Sequence, residues 1–201
     1  PERGFLRVVS WNIERGMQLG RQIEFLAGHP QLRHADILLL NEVDRGMART
    51  GNRDVGAELA QGLGMHYLFG SGYLCLGHGG PPGAPGRGRP NREGLHGNAI
   101  LSRHPMRRAE LFPVAVSRDR FATPDRRLGQ KKALWAELST PHGSLAVVAA
   151  HLDNSTSPAI RVRQLQDVLR RVRRRGLQRR ALLGGDLNTS NYDFGSLPGL
   201  G

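Results

Sequence analysis

The stretch Arg180-Ala181-Leu182-Leu183-Gly184-Gly185-Asp186-Leu187-Asn188-Thr189 runs from an apolar segment through two glycines to a carboxylate and an amide. An extended backbone puts alternate side chains on one face, so Asp186 and Asn188 are expected together at the mouth of a buried strand. The glycines remove bulk, which would let a phosphate-sized group approach the main chain. The same letters suit a strand followed by an Asx-type turn. The rest of the chain decides how much weight the pair deserves, because three other apolar runs also end on polar side chains.

The first is Leu6-Arg7-Val8-Val9-Ser10-Trp11-Asn12, a β-rich run ending on an amide. The second, Ala35-Asp36-Ile37-Leu38-Leu39-Leu40, is continuously apolar, as a strand covered on both faces must be, and Asn41-Glu42 close it. The third spans residues 145–151 and ends on His151, with Asp153 just beyond. Residues 97–103, 106–114 and 133–139 read as further strands, and 65–76 as a strand pair or one long bent strand. Helices are expected over 17–27, 55–63 and 159–175, the last with Val162, Leu165, Val168, Leu169 and Val172 along one face. Residues 77–92, dense in Gly and Pro, are expected to be a mobile loop; they lack the lysine and the spacing of a P-loop. Long β content with a few helices between predicts an α/β fold, two packed sheets with helices outside, in a single domain over 1–201.

Composition narrows the function classes. Apolar residues at 38% and charged residues at 23% are those of a soluble globular protein, and no apolar run approaches a membrane span. No signal peptide opens the sequence, which favours a cytoplasmic location, although the chain starts at Pro1 and an upstream segment is not excluded. The lone Cys75 excludes an internal disulfide framework. A net charge of +12 invites a nucleic-acid partner. Only Lys131 and Lys132 among the 29 basic residues are lysines, a bias that base composition can produce. The densest run, residues 170–175, lies on an expected helix, where a solvated face is the default reading.

If the four strand ends converge, they assemble a hydrolytic site. Glu42 suits a hard divalent ion such as Mg²⁺, which polarises a phosphoryl oxygen. Asn12 would complete that ion's surroundings or steady Glu42. Asp186 can accept the proton of an attacking water, Asn188 can orient it, and His151 can donate to a phosphate oxygen. Taken singly, each has a structural reading, a satisfied histidine or a solvent-facing strand end, and only the set is specific.

That set resembles the endonuclease/exonuclease/phosphatase superfamily, through Ser10-Trp11-Asn12-Ile13, Leu40-Asn41-Glu42-Val43, Gly97-Asn98-Ala99-Ile100-Leu101-Ser102-Arg103, Ala150-His151-Leu152 and Gly185-Asp186-Leu187-Asn188-Thr189 in that order. The resemblance implies a four-layered α/β sandwich of mostly antiparallel sheets. It also implies Mg²⁺- or Mn²⁺-dependent cleavage of a phosphate ester by in-line water attack. By that likeness Glu42 is the metal ligand with Asn12 beside it, and His151, Asp186 and Asn188 handle the phosphate or the catalysis. Arg45 or Arg49, after the metal glutamate, would clamp a substrate phosphate, against the alternative of a glycine-bearing surface turn. His96 stands where some members place a partner for the active-site histidine.

One departure accompanies the likeness. Family members end on a further strand with an Asp-His pair, and no histidine follows His151 here. The expectation is therefore a chain whose last strands are missing at the C-terminal side, impaired or inactive as it stands. The substrate stays open: a nuclease-like phosphodiester is favoured, with phosphomonoesters and lipid or sugar phosphates as alternatives. A non-catalytic basic binding module that kept the fold is the other class.

Overall fold

The computed structural model describes residues 4–77, 85–123, 125–176 and 178–189. Part of the glycine- and proline-rich loop expected over 77–92, and the Gly/Ser/Pro-rich ending after residue 189, lie outside the described residues.

The continuous apolar run at residue 37 forms the strand β2 (Ile37–Arg45), and its alternation explains the layers. Ile37 and Leu39 face a second sheet, where they meet Leu134, Ala136, Val147 and Ala149. Leu38 and Leu40 face the other way, onto Leu26, Leu59 and Ala60 of two helices. A strand buried on both faces has no polar positions to spare, so the run is unbroken.

The first sheet holds β1 (Val8–Arg15), β2, β3 (His66–Cys75), β4 (Leu95–Ser102) and β6 (Arg127–Gly129) in the order β1-β2-β4-β3-β6. The second holds β5 (Met106–Pro113), β7 (Lys132–Thr140), β8 (Gly143–His151) and β9 (Ala181–Asp186) in the order β5-β7-β8-β9. Only β1–β2 and β8–β9 pair in parallel. Helices α1 (Leu19–Gly28) and α2 (Val55–Leu63) cover the first sheet. Helix α3 (Pro158–Arg174) covers the second through Val168 and Val172 against Trp135 and Val148. The result is the expected four-layered α/β sandwich. No helix among the described residues is long and apolar enough to cross a membrane.

Two expectations need correction and one open choice is resolved. The basic segment between β5 and β7 is not all loop: Arg127, Leu128 and Gly129 pair with Cys75, Leu74 and Tyr73. Of the open choice at 65–76, the single bent strand is what forms, with its register shifting between Ser71 and Tyr73. Helix α3 buries only part of the face expected of it: Val168 and Val172 are buried, but Val162 and Leu169 are exposed, and Arg161 and Gln164 are buried in addition. The helix is turned by polar contacts. Gln164 Oε1 accepts from the Asp153 N–H (3.0 Å), and its amide nitrogen donates to Ala115 O (2.7 Å) and the Asp153 carboxylate (2.8 Å).

The glycines before Asp186 also act differently. A Cβ on Gly184 would lie 2.8 Å from Leu39 Cδ1, so this residue lets β9 press against the facing sheet. A Cβ on Gly185, at φ +142°, would lie 1.7 Å from Ala150 O of the paired strand. Their bareness serves strand packing, not the approach of a phosphate. Gly185→Ala is expected to cost about 2 kcal/mol or more through overlap and strain. A lowered urea midpoint is the readout, and an unchanged midpoint would contradict this close approach.

Candidate active site

The two parallel pairs bring strand ends together. In β1–β2 the register places Asn12 beside Asn41, and in β8–β9 it places His151 beside Asp186. Because the sheets face each other, the two ends meet. Asn12 Nδ2 donates to Asp186 Oδ2 at 2.9 Å across 174 residues of sequence. The Asp186 N–H donates to Asn41 Oδ1 at 2.6 Å. Asn41 in turn donates to Asn98 Oδ1 (2.8 Å), and Asn98 to Lys132 O (2.9 Å), so amides span the crevice. His151 Nε2 stands 3.8 Å from Asp186 Oδ2.

Glu42 follows the last inward leucine of β2, with φ +54°, where the register with β4 slips between Leu40 and Val43. The left-handed turn at a non-glycine residue is a strained conformation, of the kind that active sites concentrate. It leaves Glu42 lining a polar cavity of about 130 Å³ together with His96, Lys131, His151 and Arg15. A larger groove of about 410 Å³ runs beside α3, lined by Phe112, Val114 and Arg170 among others, and holds none of the strand-end residues.

Asn188 does not share a face with Asp186 by simple alternation. It has φ +50°, its N–H donates to Asp186 Oδ1 at 2.9 Å, and its Nδ2 donates to Leu152 O at 2.8 Å. This is the Asx-type turn, and it fixes the carboxylate. Of the two readings of the opening stretch, a strand followed by an Asx-type turn is the one that forms.

The electrostatics follow from burial and partners. Burial alone would raise the Asp186 carboxyl, but hydrogen bonds from Asn12 and the Asn188 N–H outweigh it, and His151 and Lys131 add to them, so its pKa lies below the ordinary value. Burial, with the Lys131 ammonium adding, pushes the His151 imidazole down to about 3, against the pull of Asp186 and Asp153. His151 is thus a neutral ring at pH 7, able to donate a hydrogen bond but carrying no charge. Burial likewise lowers Lys131 to about 7, with Asp153, Glu42 and Asp186 opposing.

Two of the expected phosphate clamps are placed elsewhere. Arg49 is buried, and its Nε and Nη2 donate to Asp44 at 2.6 and 2.7 Å, so it cannot reach a substrate. Arg45 Nε lies 2.9 Å from Glu93 and 3.4 Å from Asp54, away from the cavity. His96 does line the cavity, with Nδ1 2.8 Å from Asp44 Oδ1. Burial lowers its pKa in spite of Asp44, so the ring is neutral and Nδ1–H donates to the carboxylate. Lys131 and Asn41 escaped the sequence-based reading. The one available signal was that Lys131-Lys132 are the only lysines in an arginine-rich chain.

The donor set bears on which metal this crevice suits. Among the described residues no three His, Cys, Asp or Glu side chains cluster as a metal site. What the crevice offers is oxygen: the Glu42 carboxylate on the cavity wall, and the Asn12 amide oxygen, which also accepts from the Glu14 N–H at 3.1 Å. A hydrated Mg²⁺ or Mn²⁺ needs one or two such ligands and keeps water and substrate oxygens for the rest, so these residues fit it.

Several solved structures share the fold. An endonuclease/exonuclease/phosphatase protein from Beutenbergia cavernae is 25% identical, with a TM-score of 0.66 over 91% of this chain and 47% of that one. The human Nocturnin catalytic domain with bound sulfate is 18% identical, with a TM-score of 0.60 over 92% of this chain and 64% of its own. D. rerio TDP2 complexed with a single-strand DNA product is 16% identical, with a TM-score of 0.58 over 98% and 66%. The chain thus spans 47% and 64% of the length of the first two. A comparison with curated protein sequences gives no match. The sequence model of the Endonuclease/Exonuclease/phosphatase family matches residues 9–198, nearly the whole chain, and with the sandwich and its joined strand ends this places the protein in that family of phosphoesterases.

Proposed function

We propose that the chain is the core of a Mg²⁺- or Mn²⁺-dependent hydrolase that cleaves a phosphodiester by in-line attack of water. The observation that carries this reading is the 2.9 Å bond between Asn12 and Asp186, which joins the two sheets where Glu42 and His151 also end. Glu42 and Asn12 would hold the ion, whose chemistry is to polarise a phosphoryl oxygen and offset charge in the transition state. The chain's own residues do the rest. Asp186, kept ionised by Asn12 and by the Asn188 N–H, accepts the proton of the attacking water at Oδ2. Asn12 holds that carboxylate in one orientation. His151, as a neutral ring, donates from Nε2 to a non-bridging phosphate oxygen. Asn188 acts by pinning the turn that presents Asp186. The substrate reading is nuclease-like: the chain carries +12, and a structural neighbour was solved with a DNA product.

Hydrolysis of bis(p-nitrophenyl) phosphate, p-nitrophenyl phosphate and plasmid DNA, with Mg²⁺, Mn²⁺ or EDTA, tests the reading. Slow, metal-dependent turnover of the diesters is the expected result, in keeping with the missing Asp-His pair. Turnover of the monoester alone would move the substrate to the phosphomonoesters, and equal turnover in EDTA would overturn the metal role. Glu42→Gln is expected to lose about 10²–10³-fold in kcat/KM, the several kcal/mol that an ion at the phosphoryl oxygen supplies. It should also shift the Mg²⁺ concentration needed for half-maximal rate upwards.

A further inference from the structure

Four cations line the cavity: Arg15, Arg120, Arg127 and Lys131. Two of them have carboxylate partners. Arg120 Nη2 lies 2.9 Å from Asp153 Oδ1, and Arg127 pairs with Asp125. The other two do not. Among the described residues the Lys131 ammonium makes no hydrogen bond and no ion pair, and Arg15 Nε is buried without a hydrogen-bond partner. An unpartnered cation withdrawn from water is costly, and two around one cavity are a standing preference for an anion.

The placement of Lys131 is not that of a stray surface side chain. Its carbonyl accepts from the Val114 N–H at 3.2 Å. The next carbonyl, Lys132 O, is held by Asn98, which Asn41 holds beside Glu42. The backbone that presents Lys131 is therefore tied to the same amide chain that positions the Asp186 N–H. Its side chain looks into the cavity with Glu42 on one wall and His151 on another. A solvated lysine needs none of this.

We propose that Lys131 is a catalytic residue of this site, its ammonium holding a non-bridging oxygen of the scissile phosphate, with Arg15 as the second cation on the same anion. This rests on the phosphoesterase reading above and adds a contact that none of the strand-end residues supplies. The neutral His151 ring cannot bring positive charge to the phosphate; Arg15 can, and so can Lys131 in its protonated form, which a bound phosphate favours.

The test uses the 201-residue chain with inorganic phosphate as the probe, titrated by calorimetry without metal, beside kcat/KM on bis(p-nitrophenyl) phosphate with Mg²⁺. Lys131→Met is expected to weaken phosphate binding by about 10- to 100-fold, the usual worth of a hydrogen bond to a charged group. Lys131→Arg keeps the charge and should stay within a few-fold of wild type. Thermal melts confirm folding, since removing an unpaired cation should not destabilise the chain. Wild-type phosphate affinity in folded Lys131→Met overturns the proposal whether or not turnover is seen. If Glu42→Gln loses turnover and Lys131→Met does not, Lys131 is out and the hydrolase reading stands. Phosphate binding that depends on Lys131, in a protein that hydrolyses none of the esters, keeps the anion contact and overturns its catalytic role along with the hydrolase reading.

Discussion

Asp186→Asn is expected to lower kcat on a diester substrate by roughly 10²–10⁴-fold, the range for a lost general base, with KM little changed. The reasoning starts from what holds the carboxylate. It accepts from Asn12 Nδ2 and from the Asn188 N–H, and its own N–H donates to Asn41. An amide of the same shape keeps the acceptor for the Asn188 N–H and keeps the backbone bond, so the turn survives. It cannot take a proton, and its NH2 faces the Asn12 NH2, so that one bond between the sheets is lost. Circular dichroism should therefore stay close to wild type and the melting temperature fall only by the worth of one hydrogen bond, about 1 kcal/mol, while turnover falls far more. Asp186→Ala removes the acceptor as well and should lose activity with some stability. Turnover of Asp186→Asn near the wild-type rate would remove Asp186 from the chemistry and leave it a structural tie between the sheets.

The fold was largely legible because its strands are long and their apolar runs end at turn residues. Helix α2, expected over 55–63, forms there, with Asp54, whose side chain accepts from the Ala57 N–H, at one end and Gly64 in the left-handed conformation at the other. The strand β6 was not legible, since three residues carry no alternation and pair only because the edge of β3 is there. The buried face of α3 was legible only in Val168 and Val172. Gln164 goes inside because Asp153 and Ala115 O wait there, a tertiary fact that no helical period records. For the site, the order of Asn12, Glu42, His151 and Asp186 along the chain was enough to bring them together on paper. Lys131 and Arg15 are singled out only by the tertiary structure, in which neither side chain has a hydrogen-bond or ion-pair partner among the described residues. Arg49 differs for the converse reason: an arginine shortly after Glu42 suits a clamp on sequence alone, and Asp44 occupies it.

Asp44→Ala is expected to destabilise the fold by about 3–5 kcal/mol, the usual result of stripping one partner from a buried ion pair. Against a total of roughly 5–15 kcal/mol for a domain, that is a large fraction. Asp44 is fully buried in β2, and its carboxylate accepts from Arg49 Nε (2.6 Å), Arg49 Nη2 (2.7 Å) and the His96 ring (2.8 Å). Without it, the Arg49 guanidinium, 4% exposed, loses the carboxylate that accepts two of its hydrogen bonds. Burial alone would raise the Asp44 carboxyl, yet Arg49 and His96 bring it below its ordinary value. A depressed carboxylate stabilises the fold above its unfolded pKa, and that contribution fades as pH falls through the folded value. The gap between wild type and Asp44→Ala in urea unfolding should thus be constant above about pH 4 and narrow below it. Adding Arg49→Met to Asp44→Ala removes the buried charge that Asp44 balanced and should recover part of the loss, so the double variant is more stable than the single one. His96 also lines the cavity, so the single variant should lose phosphate affinity together with stability. A gap that ignores pH, or a double variant weaker than Asp44→Ala, would show that packing and not charge makes Asp44 necessary.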